Sequence, residues 1–187
     1  DLNSQNISIE EIERKFTKRT KAILCVHFAG FPCDMKAITA FAKLKKIAVV
    51  EDCAQAHGAK IGNRSVGSFG NIATWSFCND KIMTLGGEGG MITTRSKKLY
   101  QFCEKFNNHG KNFTKYRSNK SLQSFPYIHD SIGSNYRLTE MQSALGIYQL
   151  GRLEDWHAKR ARNASIFIKA IEDLSIVHCP TLPSNVT

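Results

Sequence analysis

The chain has 187 residues, and its 26 Lys+Arg against 16 Asp+Glu give a formal net charge of +10. That length suits one domain of ordinary size, and 42% hydrophobic with 22% charged residues excludes a disordered or membrane-spanning chain. Apolar runs such as Ile47–Val50 are far too short to cross a bilayer, and no charged-then-apolar segment opens the chain, so a soluble globular protein is expected.

The first element is a helix from Ser8 to about Phe16, because Ser8-Ile9-Glu10-Glu11 reads as a capping box. Ala22–His27 reads as a strand buried on both faces. Gly30-Phe31-Pro32 breaks the chain, and Asp34 caps a helix to about Lys45 with an apolar stripe of Ile38, Phe41, Ala42 and Leu44. Ile47–Val50 is a second buried strand, ending at Glu51-Asp52. Strands are expected at Ile72–Phe77 and Met91–Thr94, then a helix from Ser96 to about Phe106. A polar connection from Asn107 to Asp130 is long enough to suggest a functional or partly mobile loop. Thr139-Glu140-Met141-Gln142 is a second capping box, opening a long helix that reaches toward Leu174 with an interruption. The alternation of strands and helices predicts an α/β fold with a mostly parallel sheet flanked by helices, and ligands on such sheets gather at the carboxyl ends of strands.

Two further features bound the partners. Six cysteines without a CxxC pair are expected to be reduced thiols of a cytoplasmic protein. Between Arg95 and Lys120 eight Lys/Arg stand against one acid, Glu104, but no RNA- or DNA-binding motif accompanies them. A solvated face is the simplest account, and a basic α/β nucleic-acid-binding module without catalysis is the alternative. Start at Asp1 without Met, and an end in a Pro-containing stretch, read as part of a longer protein.

No phosphate loop, GxGxxG, HExxH or GxSxG motif is present, and the histidines lack metal-ligand spacing, so no metal is expected. Chemistry concentrates instead in Glu51–Ala59, Trp75–Lys81 and Gly86–Gly90. A carboxylate at a strand end, Asp52, with Val49 and Val50 behind it, suits a cationic ring nitrogen. Ser76 precedes Lys81 by five residues after an apolar strand, so both can face one cleft, where a desolvated lysine becomes a nucleophile. Taken singly, each residue also has a plain structural reading as a turn, a cap or a solvated charge.

Taken together, they resemble the DegT/DnrJ/EryC1/StrS family of sugar aminotransferases. The resemblance is carried by Asp52-Cys53-Ala54-Gln55-Ala56-His57-Gly58, Val66–Gly70, Ser76–Lys81, Gly86–Met91, His109-Gly110 and Gly133–Thr139. It implies the large domain of a pyridoxal-phosphate-dependent transferase of the aspartate-aminotransferase-like fold type I over residues 1–174, with 175–187 starting a C-terminal small domain. It further implies that Lys81 forms the Schiff base with the cofactor pyridoxal 5'-phosphate and moves the proton. By the same resemblance Asp52 pairs with the pyridine nitrogen, Gln55 bonds the phenolic oxygen, and Ser76 binds phosphate. Asn135 matches a residue that reaches the phosphate in the neighbouring subunit, which implies a homodimer with shared active sites. His57 and Arg137 fall in matched motifs without an assigned contact. The implied reaction takes an amino group from an amino-acid donor, glutamate, to a nucleotide-sugar acceptor, for amino-sugar or surface-polysaccharide biosynthesis, with no role for nucleic acid or membrane. The basic stretch Lys111–Lys120 would help attract that charged substrate. Relatives that are sugar dehydratases carry histidine at the Schiff-base position, and Lys81 argues against that branch. Cys53 stands where many relatives have alanine. The family's N-terminal segment and most of its small domain are not in these 187 residues, so the chain alone is expected to bind cofactor poorly.

Overall fold

The computed structural model describes residues 1–112, 128–181 and 183–187. Four strands form the main sheet: β1 (Ala22–Val26), β2 (Ala48–Asp52), β5 (Ile72–Ser76) and β6 (Gly90–Thr93), in the order β1-β2-β5-β6. The first three are parallel and β6 runs antiparallel to β5, so the sheet is mostly parallel, as expected. A small hairpin, β3 (Lys60–Ile61) with β4 (Arg64–Ser65), lies between β2 and β5 in sequence. Its outer edge is extended by the C-terminal residues, where Ile61 bridges Val186 and Lys60 exchanges backbone hydrogen bonds with Thr187.

Helix α1 (Ile9–Lys15) starts at Ser8, whose hydroxyl accepts the Glu11 N–H at 3.1 Å. Only half of the expected capping box forms, because the Glu11 carboxylate turns to the Arg14 guanidinium instead. Helix α2 (Met35–Lys45) is capped by Asp34 and buries Met35, Ile38, Phe41 and Ala42. Leu44 does not join that stripe and is 74% exposed. Six residues beyond Ile38 at 100° per residue, it lies about 120° round the helix from the buried face. These helices pack on Ile23, Cys25 and Val49 to form the larger core.

The expectation that β1 is buried on both faces is corrected: Ile23 and Cys25 are buried, whereas Leu24 is 59% exposed and Val26 is also exposed. Side chains alternate across a strand, and among the described residues α1 and α2 cover only the face that carries Ile23 and Cys25. The strand registers extend this division. Cys25 pairs with Glu51 and Glu51 with Ala73 on the covered face; Val26 pairs with Asp52 and Asp52 with Thr74 on the open one.

Helix α3 (Lys97–Phe106) is capped by Ser96. The Asn107–Asp130 connection is pinned at its ends by bridges from Asn108 to Asn135 and Lys111 to His129. Residues 113–127, with three of the basic side chains of the charged stretch, lie outside the described residues. The long C-terminal helix is two, α4 (Glu140–Leu150) and α5 (Leu153–Ile171), interrupted at Gly151-Arg152. The second capping box is complete: Thr139 Oγ1 accepts the Gln142 N–H and Gln142 Oε1 accepts the Thr139 N–H. Thr139→Ala therefore removes an N-cap, with an expected stability loss of about 1 kcal/mol read as a lowered urea midpoint of the full-length protein.

Candidate active site

Asp52 is the last residue of β2 and Ser76 the last of β5, adjacent parallel strands. Because Asp52 is opposite Thr74, Ser76 lies two residues further along on the same open face. Asp52 Oδ1 accepts the Ala54 N–H at 2.9 Å, leaving Oδ2 without a hydrogen bond among the described residues. Gln55 follows in the turn after β2, and its Oε1 accepts the Ala29 N–H at 2.7 Å.

Lys81 closes the turn that leaves β5, where its N–H bonds the Cys78 carbonyl. Its side chain is 20% exposed and its Nζ lies 3.5 Å from Asp80 Oδ1. The Ser76 hydroxyl donates to Cys78 Sγ at 3.4 Å, and the Cys78 thiol donates to Asp80 Oδ1 at 2.8 Å. A hydroxyl, a thiol, a carboxylate and an amine thus follow one another within six residues.

His57 is buried on the covered side, with ring centroids 5.6 Å from Trp75 and 5.7 Å from Phe77, the two residues that flank Ser76. Neither ring nitrogen has a hydrogen-bond partner among the described residues. Burial pushes the imidazole below its ordinary value, against a smaller effect of the Ser76 backbone, and the nearby Lys81 charge pushes the same way as burial. His57 is thus a neutral packing residue beneath the strand that carries Ser76. Asn135 is exposed, and its Oδ1 accepts from Arg137 Nε at 2.9 Å. The structure therefore brings Asp52, Gln55, Ser76 and Lys81 to one end of the sheet and leaves Asn135 and Arg137 on a separate segment beside α3.

The residue to which sequence reading gave no role of its own is Glu51. It is completely buried on the covered face, where Oε1 accepts the N–H groups of Phe69 and Gly70 and Oε2 accepts that of Gly67 at 2.8 Å. His27 Nε2 lies 3.2 Å from Oε2. The Cys33 N–H donates to His27 Nδ1 at 3.0 Å, so the single ring proton sits on Nε2 and is donated to Glu51. Burial alone would raise the Glu51 carboxyl, but His27 and the N–H groups of Gly70 and Gly67 hold it below its ordinary value. Cys53 Sγ completes a buried trio with these two side chains, all within 4.8 Å. This resembles a metal-ligand set formed through strand pairing rather than sequence spacing. The ring proton on Nε2 and the N–H donors on both carboxylate oxygens occupy the lone pairs that a metal would need. The trio is a hydrogen-bonded clamp between β2 and the Gly67–Gly70 loop. A charge at an alternate position of an apolar strand, Val49-Val50-Glu51, was its signal in the sequence.

Comparison with known proteins identifies the fold and the family. The model of the DegT/DnrJ/EryC1/StrS aminotransferase family matches residues 1–187. The chain is 41% identical over 178 residues to a GDP-perosamine synthase from Escherichia coli O157:H7, covering 95% of this chain and 46% of that protein. The X-ray structure of an aminotransferase from Psychrobacter cryohalolentis superposes with a TM-score of 0.89 at 47% identity, covering 92% of this chain and 44% of that one. An E. coli GDP-4-keto-6-deoxy-D-mannose-3-dehydratase with bound hydrated PLP superposes with a TM-score of 0.83 at 29% identity, covering 93% and 46%. The fold is therefore that of fold type I PLP-dependent enzymes. The chain spans about half the length of the relatives it matches. With its motifs in place over its whole length, this chain belongs to the DegT/DnrJ/EryC1/StrS aminotransferase family.

Proposed function

We propose that Asp52, Gln55, Ser76 and Lys81 are this chain's share of a pyridoxal 5'-phosphate site. The complete protein then transfers an amino group from an amino acid, glutamate, to a nucleotide-linked keto-sugar. The observation that carries this reading is the placing of Asp52 and Ser76 on one open face at the carboxyl ends of adjacent parallel strands, with Lys81 in the turn that leaves the second.

The donor set fits the group. Asp52 Oδ2 is available to a protonated ring nitrogen, the Gln55 amide to a phenolic oxygen, and the Ser76 hydroxyl to a phosphate oxygen once it gives up its weak bond to Cys78 Sγ. When bound, the cofactor supplies an electron sink for bonds at the donor's α-carbon. Lys81 supplies the amine for covalent attachment and, once released, takes and returns a proton at that α-carbon. Asp52 would hold the ring nitrogen, and His57 supports the strand beneath Ser76 as a neutral side chain. Retention of lysine at position 81 favours amino transfer over the dehydration carried out by some relatives. The names of the E. coli synthase and dehydratase support a nucleotide-linked sugar as the acceptor.

The same reading makes residues 1–174 part of the large domain and 175–187 the start of the small one, in a cytoplasmic homodimer that uses no nucleic acid. No helix among the described residues is long and apolar enough to cross a membrane. Asn135 then serves the partner's site, which agrees with its exposure. Tyr136 beside it is exposed and stacks on Phe106 at 6.1 Å, an aromatic surface suited to a second copy.

The test is the visible absorbance of the full-length protein with pyridoxal phosphate, before and after glutamate, followed by borohydride reduction and peptide mapping. A yellow protein bleached by glutamate and labelled at Lys81 is expected. A colourless protein, or label spread over surface lysines, overturns the proposal.

A further inference from the structure

Gln55 owes its orientation to a strained turn. Residues Phe28–Gly30 form a 3-10 turn in which Ala29 adopts φ 51°, ψ 23°, a left-handed conformation costly for a residue with a side chain. The turn is held from both ends: the Phe28 N–H donates to Asn6 Oδ1 at 3.0 Å, and the Gly30 N–H bonds the His27 carbonyl at 3.2 Å. Asn6 is itself buried and fixed by its own bond to the Phe31 carbonyl at 2.8 Å. Gly30 packs against the Gln55 carbonyl so closely that a Cβ there would sit 3.1 Å from it. What this conformation presents outward is one N–H, that of Ala29, at 2.7 Å from Gln55 Oε1.

An N–H can donate only to an acceptor, so this contact fixes which end of the Gln55 amide is which. The carbonyl end faces Ala29, and the NH2 group is left without a partner among the described residues. We propose that the Ala29 backbone N–H is a positioning group of the site, and that through it Gln55 serves the bound ring as a hydrogen-bond donor only. This rests on the cofactor reading above and adds a direction to it. A donor at the phenolic oxygen stabilises the ionised phenolate, so less stabilisation is needed from a proton on the neighbouring nitrogen, and that proton is lost at lower pH.

The readout is the pH midpoint of the visible absorption of the full-length protein loaded with pyridoxal phosphate, which reports that proton without any turnover. Gln55→Ala removes the donor and is expected to raise the midpoint by about one unit, a tenfold change in proton affinity. Gln55→Glu keeps an acceptor for Ala29 but sets a carboxylate against the phenolic oxygen, and is expected to raise it further. Ala29→Val places a β-branched residue where φ is positive, which forces the turn out of this conformation. It is expected to shift the midpoint as Gln55→Ala does, and the double variant is expected to shift no further than either single one. Midpoints unmoved by Gln55→Glu, or additive shifts in the double variant, overturn the proposal. Because Gln55→Glu leaves the turn sequence intact, a poorly folded Ala29→Val protein does not shield it. A wild-type protein with no absorption from Lys81 overturns the cofactor reading instead, so the two failures are distinguishable.

Discussion

Replacing Glu51 with alanine is expected to destabilise the full-length protein by about 4 kcal/mol or more, because buried donors are stripped of a charged acceptor. Four donors lose their acceptor together: the N–H groups of Gly67, Phe69 and Gly70, and His27 Nε2. Each buried donor left unpaired costs roughly 1–3 kcal/mol. The loop cannot readily move to find others. Gly67 has φ 77° with the Trp75 ring against its Cα, and a Cβ on Gly70 would meet the Val49 carbonyl at 2.8 Å. Glu51→Gln is expected to fall between wild type and Glu51→Ala, because both oxygens accept and an NH2 in either place faces a donor. Urea unfolding followed by tryptophan fluorescence measures both. The pH dependence has a definite sign. The folded-state carboxyl lies below its ordinary value, so its contribution is fully present above the unfolded-state pKa of about 4.3 and is lost as pH falls through the lower, folded-state value. Glu51→Ala should therefore flatten the acid limb of the stability profile, and an unchanged limb would show that the clamp contributes little.

The case of Glu51 also shows what was legible in the sequence and what was not. The element order and the mostly parallel sheet follow from hydrophobic period and caps, which are local signals, and Ser8, Asp34 and Thr139 cap where expected. Asp52, Ser76 and Lys81 were singled out because a motif lists them in order, and the sheet register brings the first two to one open face. Glu51 was hidden because its partners are 16 to 24 residues away and meet it only after β2 pairs with its neighbours. The exposure of Leu24 and Val26 was hidden for a different reason. An apolar strand with two buried faces and one with a single buried face read alike, and what covers the second face is a property of other chain segments. Ala29 was invisible because a backbone N–H has no letter in a sequence, and alanine gives no hint of a positive φ.

Lys81→Ala in the full-length protein is expected to reduce amino transfer on the order of 10³-fold, since a positioned general acid–base is worth roughly 10²–10⁴-fold. Its signature separates it from damage to the fold. The variant should still bind pyridoxal phosphate through Asp52, Gln55 and Ser76, but borohydride should no longer fix the cofactor to the chain. A small primary amine added to the buffer should restore part of the rate, because it supplies in solution the base that the side chain supplied. Asp52→Asn is the companion experiment and fails in the opposite way. Lys81 remains, so borohydride still fixes the cofactor, yet the rate falls because an amide no longer favours a protonated ring nitrogen, and no added amine recovers it. His57→Leu belongs to neither class: the ring packs between Trp75 and Phe77 with both nitrogens unpaired among the described residues, so an apolar side chain of similar size should retain the borohydride label at Lys81. If Lys81→Ala kept the wild-type rate, or if amine rescued Asp52→Asn and not Lys81→Ala, the assignment of the site would fall.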